Sequence, residues 1–425
     1  MDLFSERHFP KKGILQPLNE KHTKYPVCTQ TSLSAYTTVK NNAKKNTFTL
    51  VKIAAMCYTY IMKVTAVKLK NYRNLAAQTV TLSSGLNIFR GDNAQGKTNF
   101  LESVYLCCIG KSPRTDKDRE LIAWNEQSAL VSTSYTCRYG EGQIDMLLSA
   151  GKKKQIMINS VAVNKTADLM GYLNCVYFSP SEIKIVSDSP AERRKFMDID
   201  LCQTDKNYFY SLTRFNRCLQ QRNNLLKQPN IQRDTIAAWD EQIASEGARI
   251  VLKRRAFCNR LSQFATQCHS NLTDNGEKLD VQYITQLQGR TIQELHDSYL
   301  TLLSENLDKD IRTGFTTAGC QRDDVSLKIN DIDVRSFGSQ GQRRTCALSL
   351  KLAETEIIHS ITGEYPILLL DDVLSELDEK RQRKLLMYSG QTQILLTVAV
   401  GVDDRLPDDL KYTLFNVKQG LLTKQ

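Results

Sequence analysis

Two motifs that lie far apart in the sequence constrain the fold most, because each describes one half of a single site. Residues 91–98 read Gly-Asp-Asn-Ala-Gln-Gly-Lys-Thr, follow an apolar strand pattern and open a helical stretch, Lys97–Ile109. The stretch 367–372, Ile-Leu-Leu-Leu-Asp-Asp, predicts a buried strand that ends in two carboxylates. Asp371 lies 273 residues beyond Thr98. We therefore expect a large insertion between the two halves of one α/β domain.

The first motif has the composition of a phosphate-binding loop. Its glycines let the backbone curl so that N–H groups point at phosphate oxygens, and the helix N-terminus adds positive potential there. A Gly-rich turn without a ligand is the alternative. The pattern predicts that the phosphates of a nucleoside triphosphate are bound by Gly91, Asp92, Asn93, Ala94, Gln95, Gly96, Lys97 and Thr98.

Four side chains of the two motifs suit the chemistry of nucleoside triphosphate hydrolysis. We expect Lys97 to reach the β- and γ-phosphates and to act in catalysis, and the Thr98 hydroxyl to bind Mg²⁺. Asp371 suits a position linked to Mg²⁺, and Asp372 suits a group that polarises the attacking water. Two acids at a strand end are also typical of a helix cap. Their occurrence together with the phosphate loop favours nucleotide binding.

The remaining pattern predicts an α/β P-loop head that is split by a helical insertion. Its domains are expected to be a basic N-terminal segment (1–61), a first half of the head (62–186), a helical arm (187–313) and a second half (314–425). The predicted strands are 63–69, 79–82, 85–89, 129–137, 142–148, 155–163, 174–178, 281–286, 325–329, 367–370 and 393–398. Outside the arm's first helices, the predicted helices are 97–109, 292–313, 341–361 and 379–388.

Helical periodicity takes over after Ser187. Two apolar stripes follow helical spacing, the first formed by Tyr208, Leu212, Phe215, Leu219 and Leu226, the second by Ile236, Ile243, Ile250, Phe257 and Phe264. Two heptad-like helices joined near Pro229 predict an antiparallel arm. Two amphipathic helices packed on a globular core would show the same spacing, so both interpretations stay open.

Residues 1–61 differ from the rest of the chain. They hold nine Lys/Arg and three acids, and they lack periodicity until an apolar patch at Ile53–Ile61. No apolar run with a small-residue cleavage site indicates a secretory signal. The segment is either a disordered basic tail or upstream sequence included by an early start, with Met62 as the native first residue. We favour the second interpretation, which N-terminal sequencing of the native protein would test.

Two later stretches resemble the ABC-type ATPases. Residues 336–344, Ser-Phe-Gly-Ser-Gln-Gly-Gln-Arg-Arg, resemble the signature motif, and 375–378, Ser-Glu-Leu-Asp, resemble the loop that crosses between two sites. In that superfamily the signature of one protomer completes the nucleotide site of the other. The resemblance implies that the partner's ATP is contacted by Ser339, Gln340, Gly341, Gln342 and Asp378. A helix cap rich in Ser and Gly is the simpler alternative.

From Met62 onward the chain resembles the RecF family of bacterial DNA replication and recombinational-repair ATPases, which are related to SMC heads. The stretches that carry the resemblance are 69–75, 91–102, 114–122, 189–198, 321–325, 337–345 and 368–378. The resemblance implies an ABC-type head with an arm, ATP-dependent dimerisation on single-stranded, gapped or duplex DNA, and weak, DNA-stimulated ATP hydrolysis. It also implies action with RecO- and RecR-like mediators in RecA loading and SOS induction.

Two positions depart from the family patterns. Residues 319–324 read Gly-Cys-Gln-Arg-Asp-Asp, where the usual pattern is Gly-Pro-His-Arg-Asp-Asp. The position after the final predicted strand holds Thr397-Val398, where transporter-type heads place a catalytic His. We therefore expect slow hydrolysis, with Asp372 as the main group that positions water.

Positive charge is concentrated in one segment. The chain has a net charge of +11, and residues 206–260 hold eleven Lys/Arg but only four acids. Clustered charge of this kind favours contacts to DNA phosphates, which are not sequence-specific. A solvated helix face is the common alternative. The predicted DNA-binding residues are Arg214, Arg217, Arg222, Arg249, Lys253, Arg254 and Arg255.

Two other functions compete with an ATP-gated DNA-repair ATPase. A non-catalytic ATP-gated scaffold or clamp would keep the same Lys97 and Asp371, whereas an ABC transporter subunit predicts a Leu-Ser-Gly-Gly-Gln signature that the chain lacks. No run of about 18 apolar residues suggests a membrane span. The twelve cysteines show no Cys-x-x-Cys pair, which is typical of buried free thiols in a reducing cytoplasm.

Overall fold

The computed structural model describes residues 62–228, 233–401 and 410–425. The interpretations of residues 1–61 and of the join near Pro229 lie outside these ranges. The described strands are β1 Lys63–Lys70, β2 Gln78–Thr81, β3 Leu86–Arg90, β4 Ser128–Cys137, β5 Gly140–Ser149, β6 Gln155–Ile158, β7 Val161–Val163, β8 Cys175–Phe178, β9 Leu279–Ile284, β10 Asp324–Ile329, β11 Ile332–Asp333, β12 Ile367–Asp371, β13 Ile394–Val398, β14 Tyr412–Lys418 and β15 Leu421–Lys424.

Helices of very different length separate these strands. The described α-helices are α1 Lys97–Ile109, α2 Thr166–Leu169, α3 Lys184–Ser187, α4 Pro190–Thr204, α5 Lys206–Leu225, α6 Arg233–Leu272, α7 Ile292–Glu305, α8 Leu307–Thr313, α9 Val334–Phe337, α10 Gln340–Thr362 and α11 Glu379–Leu386. Within the described ranges, no helix is both long and apolar enough to cross a bilayer.

Three sheets organise the α/β fold. An antiparallel sheet has the order β2-β1-β4-β5-β6-β7, and a small one has the order β11-β10-β9. The third sheet, β15-β14-β3-β13-β12-β8, is parallel except for its edge strand β15. Strands β8, β12 and β13 are buried along their whole length and nearly all apolar, as is usual for parallel strands covered on both faces. Helix α1 follows β3, and the rings of Phe89, Phe100 and Phe415 pack beneath their junction with centroids 4.6 and 5.1 Å apart.

The structure corrects three predicted elements. The single strand predicted at 155–163 is a hairpin, because Asn159 and Ser160 both have positive φ and form a two-residue turn. The helix predicted at 292–313 breaks at Asn306, whose side chain bonds to the Leu302 carbonyl at 2.8 Å. Strand 393–398 does not end the sheet, because β14 pairs parallel with β3 and β15 returns beside it.

The helical segment has features of both predicted arrangements, the antiparallel helix pair and the helices packed on a globular core. Helix α5 runs beside the first half of α6, where Arg214 on α5 pairs with Glu246 on α6 at 3.3 Å. The second half of α6 packs on β9 and α10, and His269 near its end is fully buried. The helices therefore share one core with the rest of the described chain. The domain boundaries after residues 186 and 313 stay predictions.

Candidate functional site

Strand order brings the two sequence motifs together. Strand β13 lies between β3 and β12 and is parallel to both, so the carboxyl ends of all three strands lie at one edge of the sheet. The phosphate-loop motif leaves β3 at this edge, and Asp371 ends β12 there. Ligands of open α/β sheets bind at this edge. Thr98 and Asp371 are 273 residues apart in the sequence, but their side chains are hydrogen-bonded at this edge.

The loop 91–98 has a shape that requires small residues. Ala94 and Gly96 have positive φ, 65° and 114°. A Cβ at Gly91 would lie 2.3 Å from the carbonyl oxygen of Val417 on β14, so only glycine fits there. Helix α1 begins directly after Gly96 and has no side-chain cap. Its first N–H groups are therefore free to bind an anion.

Lys97 is held against its own loop. Its Nζ donates to the carbonyl oxygens of Gly91 and Asp92, the second at 2.9 Å. Burial lowers the pKa of Lys97, and Asp372, Asp371 and Asp92 act in the opposite direction. A partly buried ammonium beside free backbone N–H groups is suited to phosphate oxygens.

Asp371 accepts hydrogen bonds from three elements. Its Oδ1 accepts from Thr98 Oγ1 at 2.9 Å and from Thr397 Oγ1 at 2.8 Å, and its Oδ2 accepts from Tyr177 OH at 3.1 Å. The carboxylate is therefore fixed beside the first turn of α1. A carboxylate and a hydroxyl in contact are oxygen donors of the kind that Mg²⁺ prefers, so these residues fit the ion.

Asp372 has a strained backbone at the mouth of the site. Its φ is 52°, and its N–H donates to Thr397 Oγ1 at 2.9 Å. Burial and the neighbouring Asp371 raise the pKa of its carboxyl, and Lys97 lowers it. A left-handed residue at a strand end costs free energy and is frequent in active sites. The side chain is exposed and lines the cleft.

The signature-like residues lie elsewhere. Ser339 caps α10 and forms a capping box with Gln342, and Asp378 caps α11 by accepting from the N–H of Arg381 at 2.9 Å. Ser339, Gln340 and Gly341 are exposed. The cleft of about 1070 Å³ around the phosphate loop includes none of these residues. Within one chain, the signature-like residues therefore do not reach the phosphate loop.

Several residues of this cleft were not predicted from their chemistry. Arg73 donates to Glu102 on α1 at 2.8 and 2.9 Å, and Glu102 is completely buried. Arg114 lies 3.7 Å from the same carboxylate. Trp124 also lines the cleft, with 93% of its surface exposed. Arg73 and Arg114 belong to stretches that carry the family resemblance, whereas no spacing singles out Trp124.

Thr397 lies inside β13 and is completely buried. Two further strands, β14 and β15, follow β13 in the chain. The Thr397 hydroxyl donates to Asp371 and accepts from the Asp372 N–H. It therefore orients both residues from β13, the strand that pairs with β12.

The predicted DNA-binding residues divide into three groups. Arg217 and Arg249 are exposed, and Arg214 is exposed but pairs with Glu246 at 3.3 Å. Lys253 is exposed but pairs with Asp205 at 2.7 Å, and Arg255 donates to the carbonyl oxygens of Leu287, at 2.7 Å, and Gly289. The prediction is wrong for Arg222 and Arg254, which are buried and paired with acids: Asp240 and Asp310 for the first, Asp198 for the second. A buried, paired guanidinium cannot reach a phosphate.

The fold and the loop geometry define the class of protein as a P-loop ATPase head of the SMC type. The RecF/RecN/SMC N terminal domain model matches residues 61–399. A solved Smc head domain from Pyrococcus furiosus has the same fold, with a TM-score of 0.50 and 15% identity over 86% of this chain and 96% of that chain.

Comparison with curated relatives narrows this class to one family. A DNA replication and repair protein RecF from Clostridium novyi is 41% identical over 85% of this chain and 100% of its own length. The RecF of Alkaliphilus oremlandii is 42% identical over 84% and 99%. A solved recombination mediator protein RecF-ATPrS of the RecFOR pathway has a TM-score of 0.80 and 32% identity, covering 86% of this chain and 98% of that one. The chain belongs to the RecF family.

Proposed function

We propose that this protein is an ATP-binding, DNA-binding protein of replication-linked recombinational repair. It dimerises with ATP on DNA, hydrolyses ATP slowly, and acts with RecO- and RecR-like mediators to promote RecA loading and SOS induction. The relatives' names support the repair pathway. The observation that carries the ATP-binding step is the convergence of Lys97, Thr98 and Asp371 at one edge of the parallel sheet.

The cleft residues suggest a division of tasks during hydrolysis. The N–H groups of the loop and Lys97 would bind the phosphates, and Thr98 and Asp371 would hold Mg²⁺, which neutralises phosphate charge when bound. Asp372 would accept a hydrogen bond from the attacking water, since its side chain lines the cleft. Burial and the neighbouring Asp371 raise the pKa of its carboxyl. Tyr177 and Thr397 would keep the Asp371 carboxylate in one orientation.

The separation of the signature-like residues from the phosphate loop supports the proposed dimerisation. Ser339–Gln342 are exposed or half-buried and lie outside the cleft of their own chain. The helix N-terminus at Ser339 is suited to an anion. A second copy that places this terminus over the first copy's ATP would complete the site, so that ATP joins the two protomers.

The test is light scattering coupled to size-exclusion chromatography, with and without ATP. Wild type should be monomeric without ATP and dimeric with it. Ser339→Arg should remain monomeric, because its long cation obstructs the shared site. Ser360→Arg is the matched control, since Ser360 is an exposed serine at the other end of α10. A wild type that forms no dimer with ATP would refute the shared-site mechanism.

DNA contact is proposed for the exposed arginines of the helical segment. Replacing Arg217 and Arg249 by Ala should lower the slope of log K against log salt by about 1.8, since each phosphate contact to duplex DNA contributes about 0.9. Lys152→Ala with Lys153→Ala removes the same charge from an exposed turn and serves as the control. Equal slopes for wild type and the arginine variant would contradict the assignment.

A non-catalytic ATP-gated scaffold is the second candidate. The exposed Asp372 side chain favours the hydrolytic form, because it lines the cleft beside Asp371 and can accept a hydrogen bond from water there. Turnover measured with and without DNA separates the two. A chain that dimerises with ATP but never releases phosphate would be a scaffold.

A further inference from the structure

The N-terminus of α10 is oriented by a residue from another part of the chain. Within the capping box, the Ser339 N–H donates to Gln342 Oε1 at 2.9 Å, and the Gln342 N–H donates to Ser339 Oγ at 3.2 Å. The remaining polar end of the amide, Gln342 Nε2, donates to Glu277 Oε1 at 2.8 Å. Glu277 lies in the connection between α6 and β9. The amide therefore has one favourable orientation, because turning it over would place its oxygen against a carboxylate.

The second oxygen of Glu277 is hydrogen-bonded to a residue of α6. Its Oε2 lies 3.2 Å from Nε2 of His269, which is completely buried near the end of α6. The other ring nitrogen lies 2.9 Å from Ser349 Oγ, two turns into α10. Burial lowers the pKa of His269, while Glu277 acts in the opposite direction. A hydrogen on Nε2 donates to the Glu277 carboxylate, which can only accept when ionised.

We infer that Glu277 and His269 are positioning residues for the signature end of α10. Glu277 fixes Gln342, which fixes the backbone at Ser339, and His269 fixes Glu277 from the end of the long helix. The inference rests on the proposed function, in which this terminus completes the ATP site of a second copy. It adds a physical connection from α6 to that shared site through three hydrogen bonds, His269 to Glu277, Gln342 to Glu277, and the Ser339 N–H to Gln342 Oε1.

Substitutions at these positions can separate positioning from folding. His269→Leu removes the donor to Glu277 but leaves Ser349 bonded to the Thr345 carbonyl at 2.7 Å, so no buried hydroxyl loses its only partner. His269→Gln keeps a donor on the same side and is the conservative variant. Asp280→Asn is the control for Glu277→Ala. Asp280 lies three residues away, and in the described structure its side chain accepts a hydrogen bond only from the Gln282 side chain.

The first measurement is amide hydrogen exchange of residues 340–344 in the chain without nucleotide. Glu277→Ala and His269→Leu should speed exchange there about tenfold, the effect of losing one hydrogen bond to a charged group. His269→Gln and Asp280→Asn should exchange like wild type. Unchanged exchange in Glu277→Ala would overturn the inference, as would an equal acceleration over the whole of α10, which would indicate general loosening.

The second measurement is the ATP-dependent dimer, with ADP binding to the single chain as reference. Glu277→Ala and His269→Leu should weaken dimerisation about tenfold and leave ADP affinity as in wild type, because the phosphate loop is not involved. Equal losses of both would overturn the inference. If the wild type forms no dimer, the proposed function fails, whereas the exchange measurement still decides whether Glu277 positions α10.

Discussion

Arg222 offers a sharp test of the correction from DNA contact to structural ion pair. Its side chain is completely buried in α5, where it donates to Asp240 and, at 2.7 Å, to Asp310 Oδ2. Asp310 is also completely buried, and its other oxygen accepts from the N–H and hydroxyl of Thr317 at 2.8 and 2.7 Å. Arg222→Met keeps the apolar stem and removes the charge. Two acids then face each other without a cation.

The expected loss of stability is about 3–5 kcal/mol, the cost of removing one partner of a buried ion pair. Burial raises the pKa of Asp240, and Asp310 acts in the same direction against Arg222, so the loss of the arginine strengthens the remaining repulsion. Adding Asp310→Asn should recover part of the stability, because the amide is neutral and still bonds to Thr317.

Urea unfolding measures the effect. Arg217→Met, an exposed arginine five residues earlier on the same helix, should change the free energy of unfolding by less than about 0.5 kcal/mol. DNA affinity per folded molecule should not change in Arg222→Met. A loss of stability below about 1 kcal/mol, or a DNA-binding defect in the folded protein, would refute the assignment of Arg222 as a buried structural charge.

Three further predictions concern the cleft and the pH response. Asp372→Asn should slow single-turnover hydrolysis about 10²–10⁴-fold with ATP still bound; turnover equal to wild type would exclude its role with water. Gly91→Ala places a Cβ 2.3 Å from the Val417 oxygen and should cost about 1–3 kcal/mol of stability and weaken ATP binding, measured by titration. Burial raises the pKa of Asp323 from 3.8 to about 6, against a hydrogen bond from Tyr283, so the folded state binds more protons and stability falls as pH rises between these values. Asp323→Asn should abolish that fall, and an unchanged pH profile of the unfolding midpoint would contradict it.

The phosphate loop and its helix could be predicted from local signals. Gly96 and Gly110 both adopt positive φ at the two ends of α1, and glycines at such places mark the boundaries in the sequence. The prediction of a helix at Lys97–Ile109 is confirmed. The strand before Asp371 was equally clear, because a short, continuous apolar run is typical of a strand buried on both faces.

The rest of the site depends on contacts that no spacing contains. Thr397 and Tyr177 are polar residues inside apolar strands, and their role follows from β13 and β8 lying on either side of β12. Arg222 occupies a helical position that reads as solvent-exposed charge, but Asp310 lies 88 residues further along the chain. The final hairpin was missed because β14 carries polar residues among its apolar ones. Tertiary partners decided each of these cases.

The hairpin β14–β15 has a consequence for the order of events during synthesis. Strand β14 lies beside the strand that leads into the phosphate loop, and the N–H groups of Gln419 and Gly420 both donate to Gln95 inside that loop. These residues are 324 positions apart. At about 5–20 residues per second, a ribosome needs roughly 15–65 seconds to deliver the second partner after the first. The nascent loop spends this interval without its support, so we predict that it binds nucleotide well only after β14 and β15 have been made.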